Sequence, residues 1–227
     1  MTQLITALDL DSKEAAIETV ERCGGCEWFK VGLQLFSRCG PKVVDAVRGQ
    51  NKHVFLDLKL HDIPNTVGKA AHAGAELGAE LMTVHASGGR AMIAAAREAV
   101  EGTDTKILAV TVLTSISDDV LRTEVGLPET TAEAVVRYAR QSVEAGAHGL
   151  VASPQEIRLI RDAVGPEPLI VTPGIRPEWA ARNDQARVMT PREAAEHGAN
   201  FVVVGRPITQ NENPTEAVRL IHEELSI

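Results

Sequence analysis

Short apolar runs rich in Val, Ile and Leu recur along the chain, separated by amphipathic segments of helical character. The runs are LITALDL (4–10), WFKVGL (28–33), HVFLDLK (53–59), LMTVHAS (81–87), ILAVTVL (107–113), GLVAS (149–153), LIVTPG (169–174) and FVVVG (201–205). Most lack strict alternation of apolar and polar positions. That is the pattern of parallel strands covered on both faces.

Helix starts are written between the runs. Thr130, Ser153, Thr190 and Asn213 each stand three positions before a Glu, at 133, 156, 193 and 216. A cap oxygen there accepts from an orphan N–H, and the carboxylate favours the positive helix end. Three of the four sites also carry Pro at the first helical position, where a missing N–H costs nothing. Gly102, Gly146, Gly165 and Gly198 mark helix exits.

Eight strands with eight crossovers predict an α/β fold, a single-domain (β/α)8 TIM barrel over residues 1–227. The polar residues agree: Asp9, Lys30, Lys59, His85, Thr114, Pro173 and Gly205 close different strands. A barrel gathers those ends into one ring, whereas a doubly wound sheet concentrates its site at one switch point. The longest irregular stretch, 175–189, follows the seventh run, and a loop of that length predicts a lid.

Composition narrows the classes. The 227 residues carry a net charge of -8 and no Lys/Arg-rich block, which argues against general nucleic-acid binding. A few focused cations can still hold an anionic small molecule. No apolar stretch approaches the ~18 residues of a membrane span, and the N-terminus lacks a leader pattern, so a cytoplasmic protein is expected. Cys23 and Cys26 form C-G-G-C, but a structural zinc needs four ligands and there is no second pair. They read as two thiols flanking a Gly-Gly helix exit, and no metal site is expected.

The chemistry concentrates in DLKLHDIP, where Asp57, Lys59 and Asp62 sit at the end of the third strand. On a regular strand Asp57 and Lys59, two apart, point to one face, the barrel interior. A lysine buried alone favours its neutral, nucleophilic form. Carboxylates around it do the reverse and predict an ammonium that acts as fixed cation and proton donor. A structural ion-pair network at the rim is the alternative.

The ordered set ALD (7–9), KVG (30–32), DLKLHDIPNT (57–66), TVHASGG (83–89), VTVLTS (110–115), TPGIR (172–176) and VGRPIT (204–209) resembles the orotidine 5'-monophosphate decarboxylase family over nearly the whole chain. The resemblance implies cofactor-independent decarboxylation, with Lys59 as proton donor flanked by Asp57 and Asp62. It implies that Lys30 completes the charged array and reaches the ribose, that Asp9 binds the ribose hydroxyls, and that Thr114 helps hold the pyrimidine. Arg206, the Gly205 backbone and Gln185 would hold the phosphate, with Pro173 and Arg176 lining that side. A homodimer is implied, in which Asp62, Ile63 and Thr66 enter the partner's site. His85 matches a position near the site and is assigned no chemistry. Asn183 departs from the family, which often has Gly just before the Asp-Gln of the lid; Asn tolerates positive φ, so the turn is expected to survive.

The rival readings are a metal-dependent barrel enzyme acting on sugar phosphates, a Schiff-base aldolase and a non-catalytic phosphate-binding barrel. The I-P-N-T continuation and the TPGIR and VGRPIT pair speak against the first. The ammonium argument speaks against the second. A non-catalytic barrel has no reason to keep Asp57, Lys59 and Asp62 together beside Lys30.

Overall fold

In a computed structural model that describes residues 1–180 and 189–226, the eight apolar runs form eight parallel strands. They are β1 (Gln3–Ala7), β2 (Trp28–Gly32), β3 (His53–Leu60), β4 (Leu81–His85), β5 (Lys106–Val110), β6 (Gly149–Val151), β7 (Leu169–Thr172) and β8 (Phe201–Val204). Each pairs with its sequence neighbours, and β8 returns to β1, closing a (β/α)8 barrel. The expected strands are all present. Seven of them end one to three residues earlier than the apolar runs suggest, because the last residues of those runs turn into the loops of the upper rim, while β3 runs one residue further, to Leu60.

Side-chain alternation splits the core in two. Ile5, Phe55, Leu81, Leu108, Val171 and Phe201 are among the inward-facing residues that fill the barrel. Trp28 stacks on His53 with ring centroids 4.6 Å apart and meets the edge of Phe201, closing the lower end. The opposite strand faces pack on the helices, with Val54, Leu56, Met82 and Ile107 buried beneath them. Truncating a filled interior position such as Phe55, 1 % exposed, to Ala would cost about 3–5 kcal/mol in lost burial and cavity formation.

The helix signals operate largely as read. Full capping boxes form at Thr130 with Glu133 and at Thr190 with Glu193, and the Asn213 side chain accepts from Glu216 N–H. At Ser153 the Glu156 carboxylate accepts from the Ser153 N–H at 3.1 Å, and Pro154–Glu156 makes one 3-10 turn before helix Ile157–Val164. A device that escaped the sequence reading is Arg161. Its guanidinium donates to the carbonyls of Gly165, Pro166, Pro168 and Gly198 and to Asn200 Oδ1, tying the exit of its own helix to the entry of β8.

Cys23 and Cys26 are buried free thiols beside the Gly24–Gly25 turn. Burial pushes the Cys23 thiol up to about 12 and raises Cys26 as well, so neither is a thiolate near neutral pH. No helix among the described residues is long and apolar enough to cross a membrane.

Candidate active site

The upper rim opens into a cavity of about 350 Å³. Asp9, Lys30, Asp57 and Lys59 line one side of it, Thr114 another, and Pro173, Arg176, Gly205 and Arg206 a third. Seven different strand ends were expected to contribute polar residues there, and six of the seven named positions line this cavity. His85 is the exception.

Four of these residues form an alternating chain of charge. Lys59 Nζ lies 2.9 Å from Asp57 Oδ1 and 2.9 Å from Oδ2. Lys30 Nζ lies 3.7 Å from Asp57 Oδ2 and donates to Asp9 Oδ1 at 3.0 Å. The Asp57 side chain is 10 % exposed and the Asp9 side chain 58 % exposed, so the inner carboxylate depends on its partners while the outer one is shared with solvent. A carboxylate this deep must be paired, and here two ammonium groups do so. Gly32 leaves room for the chain, because a Cβ at that position would lie 2.7 Å from Lys30 Nζ and push the ammonium off Asp9.

The backbone that presents Lys59 is not a regular strand. Lys59 has φ 50, in the left-handed region that costs a non-glycine residue about 1–2 kcal/mol. The β3–β4 register also shifts there: Leu56 pairs with Met82 and Leu60 with Val84, so three residues of β3 oppose Thr83 alone. Simple alternation therefore does not explain why Asp57 and Lys59 meet. An irregularity re-aims the lysine, as bulges next to functional sites do. Thr83, fully buried, spans it: its Oγ1 accepts from Lys59 N–H at 2.8 Å and donates to Asp57 Oδ1 at 3.0 Å. The sequence reading quoted Thr83 without giving it a role. Its signal was there, a polar residue on the inward period-2 positions 81, 83 and 85 of β4.

Asp62 does not reach Lys59 within this chain. It is exposed, and its Oδ1 accepts from Ile63 N–H at 2.7 Å. Ile63 is 66 % exposed, a large apolar side chain facing outward at the rim, and Thr66 beside it is exposed too. The picture of two carboxylates around one amine thus holds for Asp57 alone in the single chain. His85 stands next to His61, ring centroids 5.4 Å apart, and burial, His61 and the Lys59 charge together hold its pKa below the usual imidazole value. It is a neutral ring near pH 7.

Beyond β7, Arg176 is buried and its main-chain N–H donates to Met189 O at 2.9 Å, so the two ends of the 175–189 segment meet at the rim. Arg206 opens the short helix Arg206–Thr209 directly after Gly205. Gln185 and Asn183 lie outside the described residues. Among the described residues no group of three or more His, Cys, Asp or Glu side chains is arranged to hold a metal ion.

Comparison with known proteins places the whole chain in one family. The model of the Orotidine 5'-phosphate decarboxylase / HUMPS family matches residues 2–221. An orotidine 5'-phosphate decarboxylase of Heliobacterium modesticaldum is 50% identical over 235 residues, covering 99% of this chain and 96% of the relative. One from Syntrophotalea carbinolica is 50% identical over 232 residues, covering 99% and 95%. The crystal structure of orotidine 5'-phosphate decarboxylase from Lactobacillus acidophilus superposes with a TM-score of 0.90 at 40% identity, over 100% of both chains. With the barrel closed, the charged array at its mouth and the match running almost end to end, the chain belongs to the orotidine 5'-phosphate decarboxylase / HUMPS family.

Proposed function

We propose that this protein decarboxylates orotidine 5'-monophosphate to uridine 5'-monophosphate in pyrimidine nucleotide biosynthesis, as a cytoplasmic enzyme that needs no cofactor. The observation that carries the reading is the Asp9–Lys30–Asp57–Lys59 chain facing the same cavity as Arg206. A nucleotide's reacting ring and its phosphate need those two ends.

The chemistry explains the array. When the C6–carboxylate bond breaks, its electron pair stays on C6 in the plane of the ring, orthogonal to the π system, and CO2 leaves. Resonance cannot spread that pair, so a fixed positive charge must stand where it develops. Lys59 supplies the charge and then the proton: an N–H bond of the ammonium breaks, a C6–H bond forms, and the neutral amine recovers a proton from solvent. Asp57, bonded to the ammonium through both oxygens, keeps it charged and aimed. Lys30, held between Asp9 and Asp57, reaches the ribose, and Asp9 binds the ribose hydroxyls.

The phosphate lies far from the bond that breaks. Arg206, the Gly205 backbone and Gln185 hold it, Pro173 and Arg176 line that side, and the segment 175–189 closes over it as a lid. Its binding energy then serves to position the base rather than to hold it uniformly. Thr114 contacts the pyrimidine. The protein works as a homodimer in which Asp62, Ile63 and Thr66 complete the partner's site, a reading supported by their exposure at the rim and by the distance of Asp62 from its own Lys59.

The carboxylates a divalent ion would use, Asp9 and Asp57, are already engaged by ammonium groups, which favours this reading over a metal-dependent sugar-phosphate enzyme. The test is turnover of orotidine 5'-monophosphate, followed by its ultraviolet change, in EDTA. Metal-free conversion is expected, and Lys59→Ala is expected to lose on the order of 10⁴-fold or more in kcat. A folded wild type without turnover, or a Lys59→Ala variant near the wild-type rate, overturns the proposal.

A further inference from the structure

We propose that Thr83 is a positioning residue for the proton transfer from Lys59, an inference that rests on the role given to that lysine above. Three observations meet at this side chain. It is fully buried at the middle of β4. It is the single β4 residue opposite Asp57, Leu58 and Lys59, where the ladder loses register. Its one hydroxyl bonds both to the main chain of Lys59 and to the carboxylate that holds the ammonium of Lys59.

The direction of those bonds follows from the inventory of donors and acceptors. Lys59 N–H can only donate, so Thr83 Oγ1 accepts from it. An ionised Asp57 can only accept, so the hydroxyl proton goes to Asp57 Oδ1. The same carboxylate takes Lys59 Nζ on both oxygens. The result is a closed ring running from the Lys59 amide through Thr83 and Asp57 to the Lys59 ammonium. Thr83 thus fixes the lysine at both ends, its strained backbone and its head group.

No other bond found here has that property. The irregular stretch of β3 gives the Lys59 amide no strand carbonyl in the regular ladder, and a buried N–H left without a partner is costly. Thr83 removes that cost and so stabilises the left-handed conformation that aims the side chain up into the cavity. It also stops Asp57 from rotating about its χ2 while keeping the carboxylate in contact with the ammonium. Thr83 does not line the cavity, and so it acts through Lys59 and Asp57 and not on the substrate.

Removing the hydroxyl while keeping the shape should therefore loosen the cation without emptying the core. Thr83→Val is the variant that does this, and Thr83→Ser keeps the hydroxyl while losing the methyl group. The experiment measures kcat and KM on orotidine 5'-monophosphate for both, with Lys59→Ala alongside and thermal melts of each. Thr83→Val is expected to lower kcat about 10–100-fold, as a misplaced reacting group does, with KM changed less than about threefold. Thr83→Ser is expected within about fivefold of wild-type kcat, because its hydroxyl makes both bonds. If Thr83→Val fails to fold, Thr83→Ala is measured in its place and the same loss in kcat is expected.

Wild-type turnover by a folded Thr83→Val, with Lys59→Ala inactive, overturns the role of Thr83 and leaves that of Lys59 standing. A Thr83→Ser variant as slow as Thr83→Val also overturns it, since packing of the methyl group would then be what matters. Normal turnover by Lys59→Ala removes the lysine's role itself, and the inference about Thr83 goes with it.

Discussion

Both carboxylate oxygens of Asp57 lie 2.9 Å from the ammonium of Lys59, although the two residues are only two apart on an irregular strand. The pair is inward, and Lys30 approaches the same carboxylate from the other side at 3.7 Å. Among the described residues Asp57 is therefore the only anion paired with both cations, and its charge is what lets two ammonium groups share one end of a cavity. Asp57→Asn keeps the shape and a hydrogen-bonding oxygen but removes that charge. We expect kcat to fall about 10²–10³-fold while the fold is retained, read by steady-state turnover and a thermal melt. A variant at the wild-type rate would show that the charge of Asp57 does not serve catalysis.

Asp62 gives a second prediction, because its distance from its own Lys59 makes the proposed dimer testable. Lys59→Ala and Asp62→Ala are each expected to be nearly inactive alone. Mixed under conditions where subunits exchange, they form heterodimers in which one site has both residues intact and the other has neither. Random exchange should then restore about a quarter of the wild-type activity per subunit. No recovery, with mixed dimers demonstrated by mass, would mean that Asp62 does not serve the partner's site.

Arg206 tests the division of labour between the ends of the cavity. Its guanidinium suits a phosphate, which accepts paired hydrogen bonds at a fixed spacing. Arg206→Ala is expected to lower kcat/KM on the nucleotide about 10²–10³-fold and to leave turnover of the bare nucleoside within about threefold. Equal losses on both substrates would place Arg206 in the fold or the chemistry instead.

What was legible in the sequence, and what was not, divides along physical lines. The barrel was legible because a strand buried on both faces needs an apolar run, and eight such runs between capped helices allow few other topologies. The rim residues were legible because a charge at the end of an apolar run has few structural reasons to be there. The shape of β3 was not. Period-2 reasoning led to the right neighbours, Asp57 and Lys59, through a geometry the strand does not have, since the lysine sits at φ 50 across a register shift. Threonine is an ordinary strand residue, so Thr83 carried no mark of its task. Arg161 looked like any exposed helix arginine, because its five acceptors come from two separate segments, 165–168 and 198–200, that only folding brings together. The separation of Asp62 from Lys59 is likewise tertiary, set by how the chain turns before helix Pro64–Glu76.

A last prediction concerns stability and acid. His148, between a helix exit and β6, accepts the Ile107 N–H on Nδ1 at 2.9 Å, so the folded ring is neutral with its proton on Nε2. Burial first, then the charges of Arg97 and Lys106, lower its pKa to about 4. Above pH 6.5, the ordinary value, the ring is neutral folded or unfolded and contributes no pH dependence. As pH falls from there towards 4, the unfolded chain takes up a proton that the folded ring refuses, so stability is lost across that window. Below it both states are charged and the loss levels off. The residue is partly exposed, and discounting for solvent leaves roughly 1–2 kcal/mol for the whole effect. His148→Gln isolates it, because a glutamine oxygen can accept the same N–H and does not titrate. Urea unfolding at pH 7, 6 and 5 should show the wild type losing stability faster than His148→Gln. Parallel losses in the two proteins would mean that His148 takes up its proton as readily folded as unfolded.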